Sequence, residues 1–168
     1  MKLLKTTTKR RGTANQELMK QLENLEHSHM RNTIELLDAL KQRFGQEVVD
    51  IVDKVVAERT LREWTAIAEN AKANTLDDLI RSLWSSKVRS RGYKFTIERG
   101  ETGVSVLCTR CPVHELAREL GATEWMNHLV CKGDPHIVEG FNPKLGFRHI
   151  KSLMEGQDAC QQLYFKKN

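Results

Sequence analysis

Nowhere does the chain string together the ~20 apolar residues that a bilayer-spanning helix needs, although 39% of its residues are hydrophobic. A membrane partner is therefore not expected, and 168 residues suit one soluble domain with a single core. The first residues also lack the apolar region, roughly 7 to 15 residues long, of a secretory signal. Only Leu3 and Leu4 follow the first lysine before Thr6, Thr7, Thr8 and a basic cluster. A cytoplasmic location is expected, and with it reduced thiols.

The body of the chain lacks a net charge. Lys2, Lys5, Lys9, Arg10 and Arg11 hold five of the 27 basic residues with no acid among them, leaving 22 basic against 22 acidic residues elsewhere. A nucleic-acid binder keeps its basic excess on a folded face, whereas this excess sits on a Thr-rich stretch, 1–14, read as a disordered basic leader. Nucleic acid is not expected as a partner. A second basic run, Lys87 to Lys94, passes straight into strand-like alternation, so it reads as the charged outer face of a strand.

A second paired cysteine motif is also missing. Of Cys108, Cys111, Cys131 and Cys160, only Cys108-x-x-Cys111 has ligand-like spacing, while structural zinc commonly takes two such pairs. A metal on these four thiols is at most an incomplete signal, and no cofactor is expected. The βαβ setting that would make the pair a thioredoxin-like redox motif is missing too.

What is present is helical first and mixed later. Leu18, Leu22 and Leu25 share a stripe that slips and resumes at Met30, Ile34, Leu37 and Phe44, giving one helix or a broken pair that ends at Gly45. A second long helix spans about 46–71, with Val48, Val52, Val55, Leu61 and Trp64 on its inner stripe. Thr75 and Asp78 predict a capped third helix. Tyr93, Phe95 and Ile97 alternate with Lys94, Thr96 and Glu98, and the turn 100–103 leads to a second strand through Val104, Val106 and Cys108. Pro112 and Gly121 bracket a short helix, Thr123 can cap the next, and Asp134-Pro135 opens another. Strands over 147–153 and 160–165 close the chain around a turn at 155–158.

The expected fold class is α+β: a helical N-terminal half and an antiparallel sheet from two hairpins with short helices between them. Residues 15–168 form a single domain, 15–86 its helical part and 87–168 its sheet and site part. The two long helices carry more apolar surface than a small sheet covers, which allows a homodimer through them.

The soft and titratable groups concentrate from Cys108 onward. Cys111 stands before Pro112 at a helix start, where backbone N–H groups and the helix dipole favour a thiolate and a lowered pKa. Cys131 ends one helix and Asp134 begins the next, so their side chains can converge on one pocket, with His136 close behind. Packing alone also suits each cysteine, and a plain helix cap also suits Asp134.

Taken as a set, Cys111-Pro112, Cys131-x-x-Asp134, a strand holding Phe147 and Arg148, and Gly156-x-x-x-Cys160 before a strand ending at Phe165 resemble the L-2-amino-thiazoline-4-carboxylic acid hydrolase family. The resemblance spans roughly Val104 to the end. The closing Gly-x-x-x-Cys strand is also similar to that of 4-vinyl-reductase-type small-ligand domains. The family resemblance implies ring-opening hydrolysis of a cyclic amidine bearing a carboxylate, a small-molecule substrate. On that basis Asp134 could pair with the amidinium, Cys111 or Cys131 could attack the ring carbon, or His136 or His149 could activate water. Arg148 or Lys132 could hold the carboxylate. A non-catalytic small-ligand or sensor domain with the same cysteine-lined pocket is the alternative, since a fold does not fix a reaction.

Overall fold

The computed structural model describes residues 3–71 and 73–167. The chain divides into two units, 1–43 and 44–168. The first is the helix α1 (Leu3–Phe44), one uninterrupted element rather than a broken pair. Of the expected leader, residues 1–2 lie outside the described residues, and from Leu3 the chain is helical; extending a formed helix adds one hydrogen bond per residue fixed, without a new nucleation cost. Along α1, Ile34 is buried while Leu18, Leu22, Leu25 and Leu36 are exposed. The slip in the sequence pattern is thus a change of face within one helix.

Helix α1 gives way at Gly45, whose φ of 69° is a conformation that favours glycine and that an L side chain adopts only with strain. There follow α2 (Gln46–Glu69), α3 (Leu76–Leu83), α4 (Ser86–Ser90), β1 (Lys94–Arg99) and β2 (Gly103–Arg110). Next come α5 (Pro112–Glu119), α6 (Thr123–Leu129), α7 (Asp134–Phe141), β3 (Leu145–Lys151) and β4 (Cys160–Lys166), with 3₁₀ turns at Cys131–Gly133 and Leu153–Glu155. The class is α+β, as expected. No helix among the described residues is long and apolar enough to cross a membrane.

Both expected hairpins form, and they join into one antiparallel sheet of order β1-β2-β4-β3. Phe95 lies opposite Cys108, Cys108 opposite Cys160, Val106 opposite Gln162, and Gln162 opposite His149. Because side chains alternate across a strand, these residues share the inner face with Val104 and Tyr164. Arg148 and Leu163 face the other way.

The inner face packs on α3 and α7. Leu79 and Ile80 of α3, Val138 and Phe141 of α7, and Phe95, Val104, Val106, Leu145 and Tyr164 of the sheet form one buried cluster. The third helix starts with the full reciprocal cap that Thr75 and Asp78 predict. Thr123, by contrast, begins α6 without capping it; Ala122 holds the cap position.

Helix α7 lies against α2 because two glycines permit it. A Cβ on Gly140 would stand 2.6 Å from the Leu61 carbonyl oxygen, and one on Gly133 would stand 3.1 Å from Thr60 Oγ1. Trp64 meets Phe141 edge to face at 6.1 Å, consistent with its expected packing role. The close fit fixes the height of the first turn of α7 over the sheet, and that turn carries Asp134.

Candidate functional site

Between the inner face of the sheet and the helix starts lies a cavity of about 210 Å³. Its apolar wall is Leu83, Trp84 and Val88 on one side and Val113, Val130 and Ile137 on the other. Into it face Cys108, Cys111, Cys131, Cys160, Asp134, His149, Gln162, Tyr93, Tyr164 and, at the rim, Arg91. Six elements supply the chemistry: β2, β3 and β4, the start of α5, the 3₁₀ turn at Cys131 and the start of α7.

The register explains the floor of the cavity. Cys160, Gln162 and Tyr164 recur at every second position of β4, and His149 of β3 lies opposite Gln162. Gln162 Nε2 is 2.9 Å from Asp134 Oδ2 and 3.0 Å from His149 Nε2. Tyr164 Oη donates to Gln162 Oε1 at 2.5 Å, and Trp84 Nε1 donates to Tyr164 Oη at 3.1 Å. Asp134 is therefore more than a helix cap: it makes no capping bond, and Gly133 holds the cap position.

Burial dominates the electrostatics. The Asp134 carboxyl is pushed up to about 7 because desolvation outweighs the one hydrogen bond from Gln162. Its side chain keeps 22% exposure, which opens into the cavity, so it gains little of the solvation that bulk water would give. Desolvation likewise lowers the pKa of His149, with an opposing pull from Glu155 and an added push from Lys132.

All four thiols are raised, Cys108 to about 12. Desolvation is the leading cause for each, and Asp134 adds to it for Cys131, Cys111 and Cys160. The expectation that the start of α5 lowers the pKa of Cys111 is therefore corrected. The N–H groups of His114 and Val113 and the Tyr93 hydroxyl do pull it down, but burial in an apolar wall costs the thiolate more. Cys108 donates its thiol hydrogen to the Arg110 carbonyl at 3.1 Å, and Cys160 accepts from the Leu153 N–H at 3.3 Å.

Of the residues singled out in the sequence, Cys111, Cys131, Asp134 and His149 come together here. Three do not line the cavity. His136 pairs with Glu139 at 3.6 Å; two residues after Asp134 on a helix, it sits about 200° around the axis. Arg148 faces the opposite side of the sheet, its guanidinium 5.9 Å over the Phe165 ring. Lys132 is exposed on the 3₁₀ turn, and only its charge reaches His149.

Sequence reasoning missed Gln162, Tyr164, Trp84 and Arg91. The first two were signalled by their two-residue spacing from Cys160 on one strand, whereas nothing local signalled the other two. The Arg91 guanidinium has no hydrogen-bond or ion-pair partner among the described residues, so it is available to an anion. Among the described residues no group of three or more His, Cys, Asp or Glu side chains is arranged to hold a metal ion.

Comparison with known proteins finds solved structures similar to this chain and a matching family model. Similar solved structures include a trafficking protein particle complex subunit 3 from Naegleria fowleri, covalently bound to palmitic acid. It is 12% identical, with a TM-score of 0.53 over 86% of this chain and 97% of that one. Another is the phenol-responsive sensory domain of the transcription activator PoxR with phenol, 11% identical, with a TM-score of 0.46 over 81% of this chain and 73% of that one. At such identities the first likeness shows a shared fold and nothing about chemistry. No curated protein matches the chain. The family model for L-2-amino-thiazoline-4-carboxylic acid hydrolase matches residues 23–164, reaching back from the sheet well into the helical half. The chain belongs to the L-2-amino-thiazoline-4-carboxylic acid hydrolase family.

Proposed function

We propose that the protein is a small hydrolase that opens a cyclic amidine, such as 2-amino-thiazoline-4-carboxylate, by attack at the ring carbon between nitrogen and sulfur. The observation that carries this reading is the half-buried Asp134, poised near neutrality inside a cavity of small-molecule size that also holds thiols and an available arginine. A carboxyl with a pKa near 7 can both take and return a proton at working pH. Arg91 suits the substrate carboxylate better than Arg148 or Lys132, because it lines the cavity.

The reaction balances with these groups alone. A water oxygen bonds to the ring carbon while one water proton passes to a cavity base and on to the ring nitrogen, which receives the electron pair of the C=N bond. The remaining hydroxyl hydrogen moves to sulfur as the carbonyl forms and the carbon–sulfur bond breaks, so the sulfur leaves as a thiol, giving an N-carbamoyl product. Attack by the Cys111 or Cys131 thiol would need the same base first, since burial keeps both protonated. Asp134 and His149 are the bases within the cavity.

A non-catalytic small-ligand domain is the second reading, favoured by the mostly apolar wall and by the fold shared with a subunit that is not named as an enzyme. The deciding experiment incubates the protein with 2-amino-thiazoline-4-carboxylate and follows product by mass spectrometry, beside Asp134→Asn, Cys111→Ser and Cys131→Ser. Loss of turnover in still-folded Asp134→Asn supports the hydrolase. Binding without turnover by the unaltered protein favours the ligand domain. For assembly we propose a homodimer through α1, supported by its exposed leucines.

A further inference from the structure

With the Gln162 amide placed as it is, the hydrogen bonds at the cavity floor run in one direction. The Trp84 indole nitrogen can only donate, and it donates to Tyr164 Oη at 3.1 Å. The Tyr164 hydroxyl then spends its own hydrogen on Gln162 Oε1 at 2.5 Å. That contact marks the oxygen end of the Gln162 amide, so the nitrogen end is the one turned toward Asp134 and His149. An amide nitrogen has two hydrogens and no acceptor capacity. One goes to Asp134 Oδ2, and the other can be used only if His149 Nε2 carries no proton.

We infer that Gln162 is a positioning residue that holds His149 as the neutral Nδ1–H tautomer and leaves the Asp134 carboxyl as the proton-exchanging group at the cavity floor. Protonating Nε2 would set it against the Gln162 amide nitrogen at 3.0 Å and leave its hydrogen the longer contact, 3.5 Å, to Asp134 Oδ2, an oxygen that already accepts from Gln162. The surroundings act the same way. Burial of the ring and the charge of Lys132 both disfavour the imidazolium, against a weaker pull from Glu155. Asp134 faces His149 on β3, Cys160 and Tyr164 on β4, Cys131 on the preceding turn and Cys111 at the start of α5. The thiols and the phenol are raised and stay neutral, so they leave the titration of the carboxyl unmasked.

For catalysis this assignment rests on the ring-opening reading, in which it makes Asp134 rather than His149 the base that draws the proton from water. Its test needs no substrate. The full chain, labelled with ¹⁵N in histidine and ¹³C in aspartate, is followed by NMR across neutral pH, with signals assigned by their loss in His149→Asn and Asp134→Asn. The expected result is a neutral His149 with its hydrogen on Nδ1, and an Asp134 carboxyl that titrates near neutrality.

Gln162→Met keeps the length and removes the donor. In that variant His149 should shift toward the Nε2–H tautomer, and the Asp134 midpoint should rise because the carboxylate has lost its hydrogen bond. Tyr164→Phe, which frees the amide to turn over, should show a mixture of tautomers and serves if the methionine variant does not fold. A wild-type His149 that is charged or Nε2-protonated at neutral pH overturns the inference, as does a tautomer unchanged in both variants. A protein that fails to open cyclic amidines yet shows these signals refutes the function and leaves the hydrogen-bond assignment standing.

Discussion

Asp134 sets two properties against each other. Its pKa is raised in the folded chain to about 7, from an unfolded carboxyl near 4. Between those values the folded state binds more protons than the unfolded one, so this group makes the protein less stable as pH rises from about 4 to about 7. Asp134→Asn removes the buried charge and can still accept from Gln162. It should unfold at higher temperature than wild type at neutral pH, with the difference shrinking toward pH 4, while turnover falls by roughly 10²–10⁴-fold. Calorimetry across that range and the ring-opening assay check both halves. The thiols give a second prediction. With Cys108, Cys111, Cys131 and Cys160 all raised by burial, alkylation by iodoacetamide near pH 7.5 should be slower than for a free cysteine, as read by mass spectrometry of labelled peptides. Fast labelling of Cys111 would restore the helix-start argument that burial overrides here.

At the scale of elements, the contact between α7 and α2 places the site. Gly140→Ala would drive a Cβ into the Leu61 carbonyl, and backbone cannot step aside as a side chain can. A loss of about 1–3 kcal/mol is expected in denaturant unfolding, with turnover falling as well because α7 carries Asp134. Thr75→Ala removes the cap of α3, which should cost about 1 kcal/mol without touching the cavity residues. If both variants lose stability and only Gly140→Ala loses turnover, the α2–α7 contact positions the carboxyl. Element geometry also shows where the sequence was more legible than its first reading. His136 follows Asp134 by two on a helix and Arg148 precedes His149 by one on a strand, so neither can share its neighbour's face. Period alone would have removed both and pointed to Gln162 and Tyr164 beside Cys160.

For the whole molecule, α1 exposes Leu18, Leu22, Leu25 and Leu36 at 55%, 44%, 66% and 60%. Their steps of four, three and eleven keep them on one face of the helix. Light scattering should find a dimer, and Leu22→Glu combined with Leu25→Glu should give a monomer with the cavity chemistry intact; a monomeric wild type at high concentration would refute the dimer. What the sequence determined by itself was local: helices and hairpins from apolar period, the α3 cap from Thr75 and Asp78, turns from glycine and proline, and the family from the sparse set Cys111-Pro112, Cys131-x-x-Asp134, Phe147-Arg148 and Gly156-x-x-x-Cys160. These follow from neighbours a few residues apart, so they can be read along the chain. The tertiary structure alone decided that Trp84 and Tyr164 meet across 80 positions, that Gln162 joins Asp134 to His149, that Arg91 rather than Arg148 lines the cavity, and that burial holds the thiols protonated. Those outcomes depend on strand register and on how much water reaches each group, quantities that exist only once distant segments have packed.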